Sequence, residues 1–156
     1  MQILAAPFQF IILLVIFASS VCASEDPIVT QKIEGSFQEV SSSVRAAIIG
    51  KGINIAHVLQ ASQMLHRTES AFGYESSVYV DAEIYEFCSA RISHKLSRAH
   101  PDNIVLCPFT ISVYTVKDEP GIVRLTYRIP TGRPGTEEIV EEVVVLIESI
   151  IEDATW

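Results

Sequence analysis

Two cysteines are the residues of this sequence best suited to chemistry, because a thiol can bridge, react or bind a soft metal. Cys88 stands where a predicted strand passes into a predicted helix, and Cys107 follows the next loop, 19 positions later. Three hypotheses fit this spacing. The pair forms a structural disulfide, stays as two buried thiols packed like small apolar residues, or serves as a working thiol site.

The disulfide hypothesis depends on the compartment and on the length of the loop. An exported protein meets an oxidising environment, in which the two cysteines that remain after removal of its signal peptide can pair. Closing a loop as short as this one stabilises the folded state by about 3 kcal/mol in the chain-entropy model. In this hypothesis the pair is a structural cross-link that stabilises the fold and performs no reaction.

The hypothesis of a working thiol depends on the start of the helix after Cys88. The backbone N–H groups and the helix dipole there stabilise a thiolate. Such a thiolate could act as a nucleophile, carry sulfur or, with Cys107 and a histidine, bind a soft metal. However, the sequence has no Cys-x-x-Cys, and two thiols without a neighbouring histidine fall short of a zinc set. We therefore expect no metal and no cofactor.

A second group of candidates lies on the strand before Cys88. Asp81, Glu83 and Tyr85 point to the same side of that strand, because side chains alternate between its two faces. This side could line a groove, and its two carboxylates could do acid–base work or simply face solvent. The other side is entirely apolar, and we assign it to the core: Val78, Val80, Ala82 and Ile84.

Charge and motifs exclude several function classes. The formal net charge is −8, and none of the charged residues lies in residues 1–23. This balance argues against nucleic acid and anionic lipid as partners, since both require clustered Lys and Arg. The sequence also lacks a P-loop, a Gly-x-Ser-x-Gly, a Gly-x-Gly-x-x-Gly and a His-Glu-x-x-His motif.

Two helices are predicted before the central strand. Ser36 and Glu39 form a capping box that begins a helix over residues 37–49. Residues 60–72 predict a weaker helix that ends at Gly73. Its inward-facing stripe is predicted to consist of Met64, Leu65, Thr68 and Phe72.

The remaining pattern predicts the fold class. Alternating apolar residues predict five strands, over residues 28–34, 53–59, 78–87, 109–116 and 122–129. Residues 89–99 predict a short helix, and Thr136 is placed to cap a long acidic helix over residues 136–153. We expect an α+β domain in which helices pack on one face of a mixed, mostly antiparallel sheet of about five strands.

The first residues predict export. Residues 10–18 are apolar but too short to cross a bilayer, and Val21-Cys22-Ala23 fits the cleavage rule for signal peptides. We therefore predict that residues 1–23 are a cleaved signal peptide and that residues 24–156 form a single domain. The mature protein is expected in the periplasm or outside the cell, with no stable membrane insertion. The competing hypothesis is an uncleaved membrane anchor.

The central motif also carries a family resemblance. Glu83-Ile84-Tyr85-Glu86-Phe87-Cys88-Ser89-Ala90, followed by a helix and then by Cys107-Pro108 before a strand, resembles the DUF302 family. The resemblance covers roughly residues 28–128 and leaves out the last acidic helix. It implies a compact α+β domain that associates in pairs and has no established activity. Family members often read Leu-Pro-Cys, where this chain has Leu106-Cys107-Pro108.

These observations leave two hypotheses about function. The first is an exported, non-catalytic binding or interaction module that is expected to form a homodimer and to be stabilised by a Cys88–Cys107 disulfide. The second is a thiol-dependent redox, sulfur-transfer or soft-metal-handling protein that uses the same two residues.

Overall fold

A computed structural model of the protein describes residues 27–155. Five strands form one sheet in the order β1-β5-β4-β3-β2. Their bounds are β1 Ile28–Glu34, β2 Ile55–Leu59, β3 Tyr79–Phe87, β4 Phe109–Val116 and β5 Ile122–Arg128. All four pairings in this sheet are antiparallel. The predicted α+β class and the mostly antiparallel five-stranded sheet are confirmed.

Within residues 27–155, four α-helices and two short 3₁₀ helices accompany the sheet. The α-helices are α1 Phe37–Gly50, α2 Ala61–Thr68, α3 Ala90–Ala99 and α4 Glu137–Ala154. The 3₁₀ helices are Glu69–Phe72, which follows α2, and Pro101–Leu106, which follows α3. Helices α1 and α4 lie against each other, and they bury Val44, Ile48, Val143, Ile147 and Ile150 in the core.

The two predicted helix caps differ in outcome. Ser36 caps α1 as predicted, because its Oγ accepts a hydrogen bond from the Glu39 N–H at 3.3 Å. The Glu39 carboxylate in turn accepts from the Ser36 hydroxyl at 2.7 Å. Thr136 stands at the N-cap position of α4 but makes no side-chain cap, because its hydroxyl donates to the Arg133 carbonyl. The predicted Thr136 cap was therefore wrong.

The predicted core side of β3 was wrong for Val78 and Val80, although Ala82 of the same set is buried. Val78 and Val80 are 68% and 50% exposed, whereas Tyr85 and Phe87 on the other side are fully buried. The register of β3 against β4 shifts between Tyr79 and Ala82, which breaks the simple alternation. Burying the two aromatic rings also removes more apolar area from water than burying the valines. The helices therefore cover the aromatic side.

None of the helices within residues 27–155 is both long enough and apolar enough to cross a membrane. The predicted signal peptide, its cleavage site and the competing membrane anchor all lie outside the described residues.

Candidate functional site

The structure joins Cys88 and Cys107 in a disulfide, as predicted. Their α-carbons lie 5.8 Å apart, within the usual range for a bridge. Cys88 directly follows β3, and Cys107 precedes β4 by one residue, Pro108, whose peptide bond is cis. Both cysteines are half-buried. The bridge therefore closes the end of the β3–β4 pair.

The chain between the two cysteines is held by its own packing. Ile92 and Leu96 of α3 are buried in the core. The buried Asn103 side chain donates to the Leu96 carbonyl at 3.1 Å and accepts from the Arg133 N–H at 2.9 Å. Because the loop is anchored at α3 and again at Asn103, the disulfide closes a segment that is already ordered.

Of the three candidates on β3, Glu83 and Tyr85 come together in one hydrogen-bonded cluster. Glu83 Oε2 accepts from the Ser41 hydroxyl of α1 at 2.5 Å and from the Tyr85 hydroxyl at 3.0 Å. Glu83 Oε1 accepts from the Gln60 side chain at 2.9 Å. The Arg45 guanidinium lies over the Tyr85 ring, 5.4 Å from its centroid. Helix α1, β3 and the residue before α2 thus meet at one carboxylate.

The electrostatics of this cluster keep Glu83 charged and Tyr85 protonated. Burial alone would raise the pKa of Glu83, but the hydrogen bonds from Ser41, Gln60 and Tyr85 and the charge of Arg45 hold it below its usual value. Burial, and then the Glu83 carboxylate, raise the pKa of the Tyr85 hydroxyl. A carboxylate that accepts three hydrogen bonds is a weak base. This cluster is therefore suited to holding α1, β3 and the start of α2 together.

Asp81 does not join this cluster. Its backbone N–H donates to the Thr115 hydroxyl at 3.2 Å, and no hydrogen bond or ion pair of the described residues involves its carboxylate. Asp81 lies within the register shift between Tyr79 and Ala82, just before the regular part of the strand begins. The prediction that Asp81, Glu83 and Tyr85 line a groove stays a prediction.

Helix α2 is tied to β3 at both of its ends. At its start, Gln60 bonds Glu83, as above, and near its end His66 Nε2 lies 3.1 Å from the Tyr79 carbonyl oxygen. These two contacts fix the helix along the first half of β3. That half of the strand has no partner from β2, which pairs only with residues 84–87. The Glu83 cluster therefore positions α2.

An open groove of about 510 Å³ lies between α2, the 3₁₀ helix after it and the start of β3. Its apolar lining consists of Met64, Leu65, Phe72, Tyr74, Val78 and Tyr79. Its polar lining consists of Thr68, Glu69, Ser76 and Ser77. Three of these apolar residues are conspicuously exposed, with Phe72 at 73%, Tyr74 at 69% and Val78 at 68%. Large apolar side chains gathered in one concave surface are typical of a ligand site.

The sequence pattern missed this groove because it assigned these side chains to the core. Met64, Leu65 and Phe72 were predicted to face inward from a single helix. Instead the Thr68 hydroxyl bonds the Met64 and Leu65 carbonyls, the α-helix ends there, and a 3₁₀ helix follows. Gly73 then takes a left-handed conformation and turns the chain away. Threonine followed by a short polar run was the available signal for this break.

A second cavity, of about 540 Å³, lies between β1, β5 and the last turns of α4. Glu148 and Glu152 line it, and the Tyr127 hydroxyl donates to Glu148 at 2.9 Å. Burial and the nearby carboxylates raise the pKa of Tyr127 to about 12, so this hydroxyl stays protonated. The Tyr127 hydroxyl is already paired with a carboxylate, and this second cavity offers a less apolar surface than the groove beside α2.

A metal site is not evident in the part of the chain that the structure describes. No group of three or more His, Cys, Asp and Glu side chains within residues 27–155 is placed to hold an ion.

Comparison with known proteins agrees with this architecture. A crystal structure described as an uncharacterized conserved protein DUF302 from Bacillus stearothermophilus has a similar fold, with a TM-score of 0.67. The similarity covers 82% of this chain and 98% of that one, at 14% sequence identity. No functionally curated protein matches the chain.

The family profile described as "Domain of unknown function DUF302" matches residues 29–154. This range is longer than the motifs suggested, and it includes α4, which is therefore part of the shared domain. Since the match covers nearly all of the described residues, the chain belongs to the DUF302 family.

Proposed function

We propose that this protein is an exported, non-catalytic binding module that holds a small apolar molecule in the groove beside α2. The observation that carries this proposal is the apolar lining of that groove, with Phe72, Tyr74 and Val78 exposed at one concave surface. Leaving such side chains in water costs free energy that a bound apolar molecule recovers. A volume of about 510 Å³ lies in the range of small-molecule sites.

The size of the groove favours a small molecule over a macromolecule. A standard protein–protein interface uses about 20–30 residues on each side. The groove is lined by ten residues, a patch well short of that number. The predicted homodimer stays a prediction, and sedimentation of the purified protein at several concentrations tests it.

Binding of N-phenyl-1-naphthylamine, a neutral apolar dye that fluoresces in apolar sites, tests the proposal. The native protein is expected to bind the dye with one site per chain. Phe72→Ser is expected to weaken binding at least about 5-fold, because truncating the ring removes apolar contact area from the ligand. Phe72 is largely exposed, so the fold of this variant is expected to persist.

Val105→Ser is the matched control. Val105 is 79% exposed and also lies on a 3₁₀ helix, Pro101–Leu106, but it does not line the groove. This variant is expected to bind the dye as the native protein does. Equal losses in the two variants, or no saturable binding to the native protein, would refute the proposed function.

Export and the disulfide belong to the same proposal. The cysteines are joined and half-buried, which suits an oxidising compartment. The intact mass of the protein, purified from its own compartment without reductant, tests both points. We expect a chain that begins at Ser24 and lacks the two thiol hydrogens. A mass that includes residues 1–23 would favour the membrane-anchored alternative.

The thiol-dependent alternative for Cys88 and Cys107 stays a prediction. Titration of free thiols on the unreduced protein distinguishes the two hypotheses. A stable disulfide gives no free thiol, whereas one thiol that reacts unusually fast at neutral pH would support a working site.

A further inference from the structure

The lining of the groove contains one charged side chain, and its position selects among apolar ligands. Glu69 begins the 3₁₀ helix after α2, and its backbone carbonyl accepts from the Tyr74 N–H at 3.0 Å. Its main chain is therefore fixed. The Oε2 atom of its carboxylate is buried and has no hydrogen-bond partner. No ion pair of the described residues includes Glu69.

The other polar groups of the groove do not satisfy this oxygen. The Thr68 hydroxyl donates to the Met64 and Leu65 carbonyls. The Ser77 hydroxyl accepts from the Tyr79 N–H at 3.2 Å. A carboxylate oxygen that is buried without a donor is costly, because it has lost its hydration and gained nothing in exchange. The groove thus has a single charged side chain in its lining, and the carboxylate of that side chain has no ion-pair partner among the described residues.

Resting on the proposed function, we infer that the ligand of the groove is an apolar amine: a hydrocarbon or aromatic body that carries an ammonium group. The body packs against the apolar lining, and the ammonium donates to the Glu69 carboxylate. A hydrogen bond between two charged partners is about twice as strong as a neutral one. The rings of Phe72, Tyr74 and Tyr79 also attract a cation. A fatty acid of the same shape would place two carboxylates together and is disfavoured.

Three probes with eight carbon atoms each differ chiefly in the head group: n-octylamine, n-octanol and octanoate. Each is titrated against the dye-loaded protein, below the concentration at which it self-associates, and its displacement of N-phenyl-1-naphthylamine gives an affinity. For the native protein, the amine is expected to bind about 10-fold or more tightly than octanol, with octanoate the weakest.

Glu69→Gln is expected to reduce the preference for the amine over octanol to less than about 3-fold, while the affinity for octanol changes little. Glu75→Gln is the matched control, because Glu75 is exposed, lies in the adjacent loop and does not line the groove. It changes the net charge by the same amount and is expected to keep the native preference. Circular dichroism and the urea midpoint verify that both variants fold.

The possible failures are distinguishable. If the native protein shows no saturable dye binding, or if Phe72→Ser binds the dye as the native protein does, the proposed function itself fails. If the dye binds but none of the three probes displaces it, the amine inference is wrong. If the three probes bind equally well and Phe72→Ser weakens all of them, the groove is an apolar site but the amine inference is wrong. A preference for the amine that survives in Glu69→Gln, or that falls equally in Glu75→Gln, shows only attraction to the overall charge of −8 and overturns the inference. A dimer that Phe72→Ser dissociates, without probe binding, assigns the groove to a second copy of the chain and overturns it as well.

Discussion

The two ends of β3 are held in different ways. At its last residue, Phe87, the strand pairs with both β2 and β4, the ring lies edge-on to Phe109 at 6.2 Å, and the disulfide closes the end. At its first residue, Tyr79, β2 no longer reaches the strand and the pairing with β4 is interrupted by a bulge. Val78 and Val80 there are exposed. The Phe87 end of β3 is therefore held by packing and a covalent bond, whereas the Tyr79 end exposes apolar surface to solvent.

This difference suggests a division between stability and binding within one strand. Exposed apolar side chains contribute little to the folded state, so a domain that keeps them needs stability from elsewhere. The buried aromatic pair and the disulfide supply it at the far end of β3. Because the two ends are separated by the length of the strand, changes at one end are expected to leave the other largely unaffected.

The largest effect is expected from Phe87→Ala. Phe87 is fully buried, and removing its ring leaves a cavity beside Phe109. The loss is expected to be about 3–5 kcal/mol of unfolding free energy. Val78→Ala, at the other end, is expected to change stability by less than about 0.5 kcal/mol while weakening dye binding. Urea unfolding of both variants measures the contrast, and comparable losses of stability would remove the distinction between the ends.

Removal of the disulfide is expected to have the next largest effect. The double variant Cys88→Ser/Cys107→Ser opens a loop with a sequence separation of 19. The chain-entropy model gives a loss of about 3 kcal/mol. Dye binding at low temperature, where the variant still folds, is expected to match that of the native protein. If binding disappears while circular dichroism shows a folded chain, the cysteines serve the ligand directly and the thiol-dependent alternative gains support.

The positions of helices and strands could be predicted from the sequence where the apolar periodicity and the capping residues agree. The capping box at Ser36 located the start of α1, and the strand–helix–strand spacing placed Cys88 beside Cys107 correctly. The buried side of β3 was assigned wrongly, because the aromatic residues share their face with carboxylates. Only the hydrogen bonds of Glu83 to Ser41, Gln60 and Tyr85 make that face compatible with a core.

The groove could not be predicted for a different reason. A stripe of Met64, Leu65 and Phe72 fits a buried helix face as well as it fits a ligand site, and periodicity does not distinguish the two. The distinction depends on whether another element covers the stripe. That depends on β2 ending before the first half of β3, which is a property of the assembled sheet.

A third and smaller effect is expected from Glu83→Gln, which weakens the hydrogen bonds that join β3 to α1 and to the start of α2. The variant keeps its shape but loses the charge that strengthens three hydrogen bonds, at a cost of roughly 1–2 kcal/mol at neutral pH. Because folding lowers the pKa of Glu83, its contribution is complete above the usual range near 4.5 and is lost as the pH falls through the folded pKa. The difference in stability between the native protein and the variant therefore narrows in acid.

Urea unfolding across a pH series measures this effect, with Glu75→Gln as the control for loss of an exposed carboxylate. Dye affinity is expected to fall in Glu83→Gln as well, because Glu83 holds Gln60 at the start of α2. A difference between native and variant that stays constant down to low pH would show that Glu83 is not stabilised in its charged form.

The smallest effect is expected from Gly73→Ala, at the exposed end of the groove. Gly73 has φ +78° and nothing within 4 Å of an added Cβ, so the substitution introduces backbone strain without a clash. The expected loss of stability is about 1 kcal/mol. Gly50→Ala is the matched control, since its surroundings are equally open and its φ is not positive. It is expected to be neutral or slightly stabilising.

Dye binding shows whether Gly73→Ala acts on the groove itself or only on the stability of the whole domain. Gly73 turns the chain so that the Tyr74 N–H bonds the Glu69 carbonyl, and that contact orders the wall of the groove. Gly73→Ala is therefore expected to weaken dye binding by a few-fold, although it costs far less stability than Phe87→Ala. Because Phe87→Ala acts at the Phe87 end of β3, it is expected to spare binding under conditions in which it remains folded. If Gly73→Ala leaves dye affinity unchanged, the wall does not depend on this turn, and the ligand surface is confined to α2 and the start of β3.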